Sequence, residues 1–259
     1  MTSYYAFWRN VAVASLCASV AGCAPESVKN VEADKFGYLA SEFSPGKLSQ
    51  SIVADLAKLD QTPVPFQKMV LTVEPKVEYQ MNANAKPDFR NTFTLINAGN
   101  GLVQSLDERF QNGLPTTQSY NLGYRNLLSL RSQQVVLSST ISNFVVETKS
   151  LSRVDITTPA TASGNEFEVD GESGRPPQIA NYASWKFICA WGAVHPAADL
   201  LPKFTGNARS IECRNLNRNG IQVSRNSGEY LLDYGIVLFS HVETANFKTD
   251  FKFVDAQIQ

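Results

Sequence analysis

The spacing of apolar residues divides the chain into a short helical part and a long strand-rich part. Leu48, Ile52, Leu56 and Leu59 recur at helical spacing and Val53 widens their face. Ser44-Pro45-Gly46 opens this segment and Thr62-Pro63-Val64-Pro65 closes it. GLVQSLDERFQNG (101–113) predicts a second helix, with Leu102, Val103, Leu106 and Phe110 on one stripe and Gly113 as its stop. β-Branched, partly alternating runs predict strands at 69–81, 91–97 and 134–148, while LGYRNLLSLRS, within 114–133, fits either element. TTPATASGNEFEVDGESGRPPQIAN (157–181) reads as a long loop, dense in Gly, Pro, Ser and Thr. The C-terminal part reads as four strands: RSIECRNL, a turn at Asn219-Gly220, IQVSRN, a break at Ser227-Gly228, EYLLDYGIVLFSHVE, and FKTDFKFVDAQI. In the last of these Phe247, Thr249, Phe251 and Phe253 share one face and Lys248, Asp250 and Lys252 the other, as in a sheet with one wet side. The expected fold is α+β and β-rich: an antiparallel sheet or sandwich with a four-stranded C-terminal meander and a few N-terminal helices.

The N-terminus follows a different logic. MTSYYAFWRN carries one charge, Arg9, and precedes VAVASLCASVAG, an apolar run that ends at Pro25-Glu26. Crossing a bilayer takes roughly 20 apolar residues, so the run reads as an export signal rather than a span. Val20-Ala21-Gly22-Cys23 resembles the lipobox of bacterial lipoproteins, a likeness confined to residues 1–23. The resemblance implies cleavage before Cys23 by signal peptidase II, a diacylglycerol on its thiol and an acyl chain on its new amine. Val-Ala-Gly also suits a signal peptidase that leaves no lipid, but a rare cysteine placed directly after the small pair favours lipidation. Each buried methylene of such chains is worth about 0.8 kcal/mol, and two or more chains hold a protein on a membrane. Ala24, in place of the Asp that retains lipoproteins at the inner membrane, points to the outer membrane of a Gram-negative cell. The expected organisation is a signal peptide (1–22), a lipid-anchored polar tether (23–46) and one globular β-rich domain (47–259).

Charge narrows the partners. The chain has 23 basic and 24 acidic residues and a formal charge of −1, without the basic patch that phosphate backbones demand. Nucleic acid is excluded as an expected partner; the membrane and an envelope protein remain. No cofactor is implied.

Two cysteines would remain after Cys23. Trp185, Phe187, Cys189 and Trp191 are two residues apart, so a strand points all four one way, and Cys213 lies in the next strand signal. In an oxidising compartment Cys189 and Cys213 are natural disulfide partners, worth about 3 kcal/mol in the chain-entropy model. The alternative is a thiolate with His195 as base, or a zinc site using both cysteines, His195 and His241, although the close paired spacing of zinc motifs is missing.

Other chemistry is sparse. His241 and Ser240 face opposite sides of a strand, and no Gly-x-Ser-x-Gly elbow occurs. His195 and Asp199 could meet in a helical turn. Acidic residues cluster at Asp107-Glu108 and in EFEVDGE, where Glu166, Glu168, Asp170 and Glu172 would share one face of a hairpin arm. With Arg175 they form a candidate binding surface for a partner. The leading expectation is a non-catalytic envelope lipoprotein with a binding or scaffolding role. Two alternatives stand beside it: a hydrolase of a cell-wall or glycan polymer, and a small-ligand carrier with Trp185, Phe187 and Trp191 lining a cavity.

Overall fold

The computed structural model describes residues 27–80, 89–156 and 166–259. Cys23 and the signal segment lie outside the described residues. Three short helices come first: α1 (Val28–Ala33), α2 (Lys35–Glu42) and α3 (Gln50–Leu56). Twelve antiparallel strands follow: β1 (Lys68–Tyr79), β2 (Phe89–Gly99), β3 (Leu102–Gln111), β4 (Leu114–Tyr124), β5 (Leu128–Val136) and β6 (Val146–Val154), then β7 (Glu166–Gly174), β8 (Ala183–Pro196), β9 (Asn207–Asn217), β10 (Gln222–Leu231), β11 (Ile236–Thr244) and β12 (Phe247–Ile258). Each strand pairs with its sequence neighbours, and β1 pairs with β12 from Met69↔Ile258 to Tyr79↔Phe247, closing a barrel.

This corrects the α+β sheet with its C-terminal meander. The last four strands are one arc of a closed wall, and closure removes the two open edges that a sheet would leave unpaired. Ser227-Gly228 is a bulge inside β10 rather than a turn. A Cβ at Gly228 would sit 2.2 Å from Leu238 O, so glycine is there for close backbone approach. The chain turns at 232–235 instead, with Gly235 at φ 65°.

The helix expected at 101–113 is strand β3. Asn100-Gly101 and Asn112-Gly113, all four at positive φ, make the tight hairpin turns on either side of it. Its apolar pattern mimics a helix because both of its faces are buried. Leu102 and Leu106 belong to one core, which includes Leu39, Phe43 and Ile52 of the helices, and Val103 belongs to a second. Gln104 and Glu108 occupy the buried even positions because the helices need partners there. Gln104 donates to Leu39 O and Phe43 O, both at 3.1 Å, near the carboxyl end of α2, and Glu108 pairs with Lys35 at 2.7 Å.

Residues 28–43, expected within a tether, therefore form α1 and α2 and supply Val28, Val31, Leu39 and Phe43 to the first core. Full burial of such side chains is worth about 1.5–3 kcal/mol each. α3 follows Ser49, whose hydroxyl accepts from the Ile52 N–H, and buries Ile52 and Leu56 while Val53 stays half exposed.

The two cores share a wall. Tyr230 and Val237 face the first, whereas Leu231, Ile236 and Leu238 face the second with Met69, Leu71, Phe253 and Phe204. Arg125, in the β4–β5 turn, ties the β2–β3 turn to β11. Its backbone N–H donates to Gly101 O at 2.7 Å and its carbonyl accepts from Val237 N at 3.0 Å. Its buried guanidinium donates to Asp60 Oδ2 (2.7 Å), Thr62 O (3.1 Å) and Gly235 O (3.1 Å).

Candidate functional site

β7 and β8 separate two environments. Phe167, Val169, Phe187, Cys189 and Trp191 point to the core, and Glu168, Asp170, Glu172 and Lys186 to the other side. Residues 166–174 are thus strand rather than loop; positions 157–165 of the expected loop lie outside the described residues.

The candidate acids do share a face, where Glu168 and Glu172 are matched, whereas Asp170 Oδ1 is buried and, among the described residues, has no hydrogen-bond partner. Glu168 pairs with Arg153 at 2.7 Å and Lys186 at 3.4 Å, and Lys186 lies 3.6 Å from Asp170. Glu172 accepts from Ser150 at 3.1 Å and Ser184 at 3.5 Å. Arg175 stands apart, its guanidinium 5.2 Å from the centre of the Phe144 ring, and Glu166 is exposed at the start of β7. Asp170, Glu172 and Lys186 border a groove of about 750 Å³ together with Ser150, Ser184, Trp185 and Arg218.

Cys189 and Cys213 are directly opposed on β8 and β9, with Cα atoms 4.1 Å apart, and form a disulfide. Their sulfurs are consumed by that bond, so neither the thiolate nor the two-cysteine zinc reading applies. Each imidazole is held by carboxylate. His195 Nε2 lies 2.8 Å from Glu229 and Nδ1 3.5 Å from Asp199, and the hydrogen bond to Glu229, against slight desolvation, raises its pKa above the ordinary value. His241 Nδ1 is 2.7 Å from Asp250. Asp107 and Glu108 are no pair either, since adjacent strand residues diverge. Glu108 serves Lys35, while Asp107 accepts from Asn91 Nδ2 at 2.9 Å and is pushed up to about 7, mainly by desolvation.

On the core-facing side lies a cleft of about 410 Å³, within the range of small-molecule sites. The register assembles its walls: Asn121↔Ser132, Ser132↔Val146, Thr148↔Ser173, Phe187↔Asn215 and Gly228↔Phe239 place residues from β4 to β11 on one face. Seven lining side chains are apolar, among them Trp185, Phe187 and Phe239; four are asparagines and four carry hydroxyls. Among the described residues Glu147 is the one ionisable residue of the lining, and Arg131 and Lys149 neutralise it. Trp185 and Phe187 are therefore in the cleft as the carrier alternative expects. Trp191 is not: it is core, tilted against Phe167 and edge-on to Tyr230.

Trp185 is held in place. Its indole N–H donates to Ser173 Oγ at 2.7 Å, and the ring occupies the space over Gly171, where a Cβ would lie 2.5 Å from Cζ2. Three asparagines commit one end of the amide to protein. Asn121 accepts from Ser129 (2.5 Å), Asn126 donates to Val237 O (2.8 Å) and Asn215 donates to Ser224 (2.7 Å). Asn226 Oδ1 is buried and, among the described residues, has no hydrogen-bond partner. Sequence reasoning passed over all four. Asn is disfavoured within strands, so its recurrence in SYNLGY, CRNLN and SRNSG was the available signal.

Comparison with known proteins finds no matching family model and no matching curated protein. Among solved structures, the chain is similar to a β-barrel-like protein of the domain of unknown function DUF1849 from Brucella abortus. The TM-score is 0.46 at 8% identity, covering 76% of this chain and 99% of that one.

Proposed function

We propose that this is a non-catalytic binding protein of the cell envelope, anchored through Cys23 to the outer membrane, whose core-facing cleft receives a small ligand. The cleft carries the reading. It joins an aromatic wall to amide groups with unmatched hydrogen-bonding capacity, the combination that fixes a small molecule's orientation. The solvent-facing charges support a barrel that works in water, since a membrane-spanning barrel turns an apolar band outward. The hydrolase alternative loses support because the cleft's single carboxylate among the described residues is ion-paired, whereas glycoside hydrolysis uses two. The expected envelope partner is, on this reading, the protein that delivers or accepts the ligand.

Native mass spectrometry of the chain isolated from its envelope tests the cleft. Wild type should carry a non-covalent small molecule that Ser132→Trp, which fills the cleft, lacks at an unchanged melting temperature. Equal occupancy in both would refute the site. Cys23→Ser should abolish fatty-acid labelling and membrane fractionation; identical fractionation would remove the anchor.

A further inference from the structure

We infer that the ligand of the cleft is a neutral, hydroxyl-rich molecule of the saccharide class, an inference that rests on the binding reading above. Charge comes first. With Glu147 already matched by Arg131 and Lys149, the cleft offers, among the described residues, no free charge to attract a phosphate, a carboxylate or an ammonium group. Polarity comes second. Four asparagines and four hydroxyl side chains are set among the seven apolar residues, and an acyl chain laid against them would strand amide groups without partners, which is costly. A ligand that donates and accepts along its length satisfies them. The buried, unmatched Asn226 Oδ1 needs a donor, and a hydroxyl is one.

The aromatic side completes the match. The Trp185 N–H is already spent on Ser173, so the indole offers its face and not its polar edge. An aromatic face is electron-rich and attracts the polarised C–H groups on the apolar face of a sugar ring. Amides that each bond protein at one end keep the other for a hydroxyl. Such a site selects by the placement of hydroxyl groups and binds independently of salt, unlike one that reads charge.

The test is calorimetric titration of the full chain, in a detergent without a sugar headgroup, with maltotetraose, cellotetraose, chitotetraose and, separately, palmitate. At least one oligosaccharide should bind saturably, with affinity unchanged between low and high salt. Asn215→Leu and Asn226→Leu should each weaken it about tenfold or more. Asn226→Leu should also hold or raise the melting temperature, because it removes an unmatched buried acceptor; a merely structural asparagine would not combine gained stability with lost binding. Palmitate binding without oligosaccharide binding would overturn the saccharide class and leave the cleft as a binding site. Failure of every probe would overturn the saccharide class too. The mass-spectrometric comparison with Ser132→Trp then shows whether the binding reading has fallen with it.

Discussion

Strand β7 and its neighbour β8 show two surfaces made by the same backbone. One side displays Glu168, Asp170, Glu172 and Lys186, the residues a reader of the sequence notices first. The other displays Trp185 and Phe187 beside asparagines that attract no notice at all. On the conspicuous side Glu168 and Glu172 bond Arg153, Lys186 and serines, exposed pairs of this kind contribute about 0–1 kcal/mol, and Asp170 keeps one buried oxygen without a hydrogen-bond partner among the described residues. The inconspicuous side retains an unmatched buried amide oxygen and an aromatic face. Chemical visibility in a sequence measures charge, whereas capacity to bind depends on what the fold leaves unpaired.

The largest expected effect comes from releasing the Arg125 clasp, which ties the β2–β3 turn and the segment at Asp60–Thr62 to β11. Arg125→Ala should cost about 3–5 kcal/mol, since it strips a buried cation from Asp60 and leaves Thr62 O and Gly235 O without their donor. Arg125→Lys should recover little, because an ammonium group lacks the planar fork. Urea unfolding measures both. A wild-type midpoint in Arg125→Ala would mean that the clasp is ornamental.

Next comes the bridge that pins β8 to β9 behind the cleft. Cys213→Ser should lower stability by about 3 kcal/mol, given a sequence separation of 24. Reductant should then have no further effect on the variant. A reductant-sensitive melt in Cys213→Ser would mean that Cys189 bonds a partner other than Cys213 in solution.

Asp107 and Glu108 repeat the contrast within two adjacent residues. Glu108 is partnered by Lys35, while Asp107 is desolvated and raised to about 7. Between its ordinary value of 3.8 and about 7 the folded state holds a proton that the unfolded chain has released. Stability therefore falls as pH rises through that window. Asp107→Asn should be neutral near pH 4 and stabilising at pH 8 in thermal melts. A variant equally stabilised at both pH values would show that Asp107 does not titrate as described.

How much of this was legible in the chain depended on whether the cause was local. The alternation of β12, the shared direction of Trp185, Phe187 and Cys189, and the nomination of Cys213 as a partner all follow from neighbouring residues. Barrel closure does not, because it depends on β1 meeting β12 across most of the chain. β3 was misread for a related reason. Burial on both faces erased its period of two, and Gln104 and Glu108 were polar for the sake of helices 61 to 73 residues earlier. Its flanking Asn-Gly pairs were nonetheless visible in the sequence and argued for a strand. The four cleft asparagines come from β4, the β4–β5 turn, β9 and β10, so only the register unites them.

The smallest expected effect is on the charged side: Glu168→Gln should change stability by no more than about 1 kcal/mol. That small number frames the decisive measurement, a growth comparison of strains in which the gene is replaced by one of two variants. One fills the cleft with Ser132→Trp; the other neutralises the opposite side through Glu166→Gln, Glu168→Gln, Asp170→Asn and Glu172→Gln together. We expect the first strain to behave as a deletion does and the second as wild type, with both proteins folded to normal levels. A wild-type strain from the filled cleft, or a deletion-like strain from the neutralised acids, would contradict a cleft-centred function.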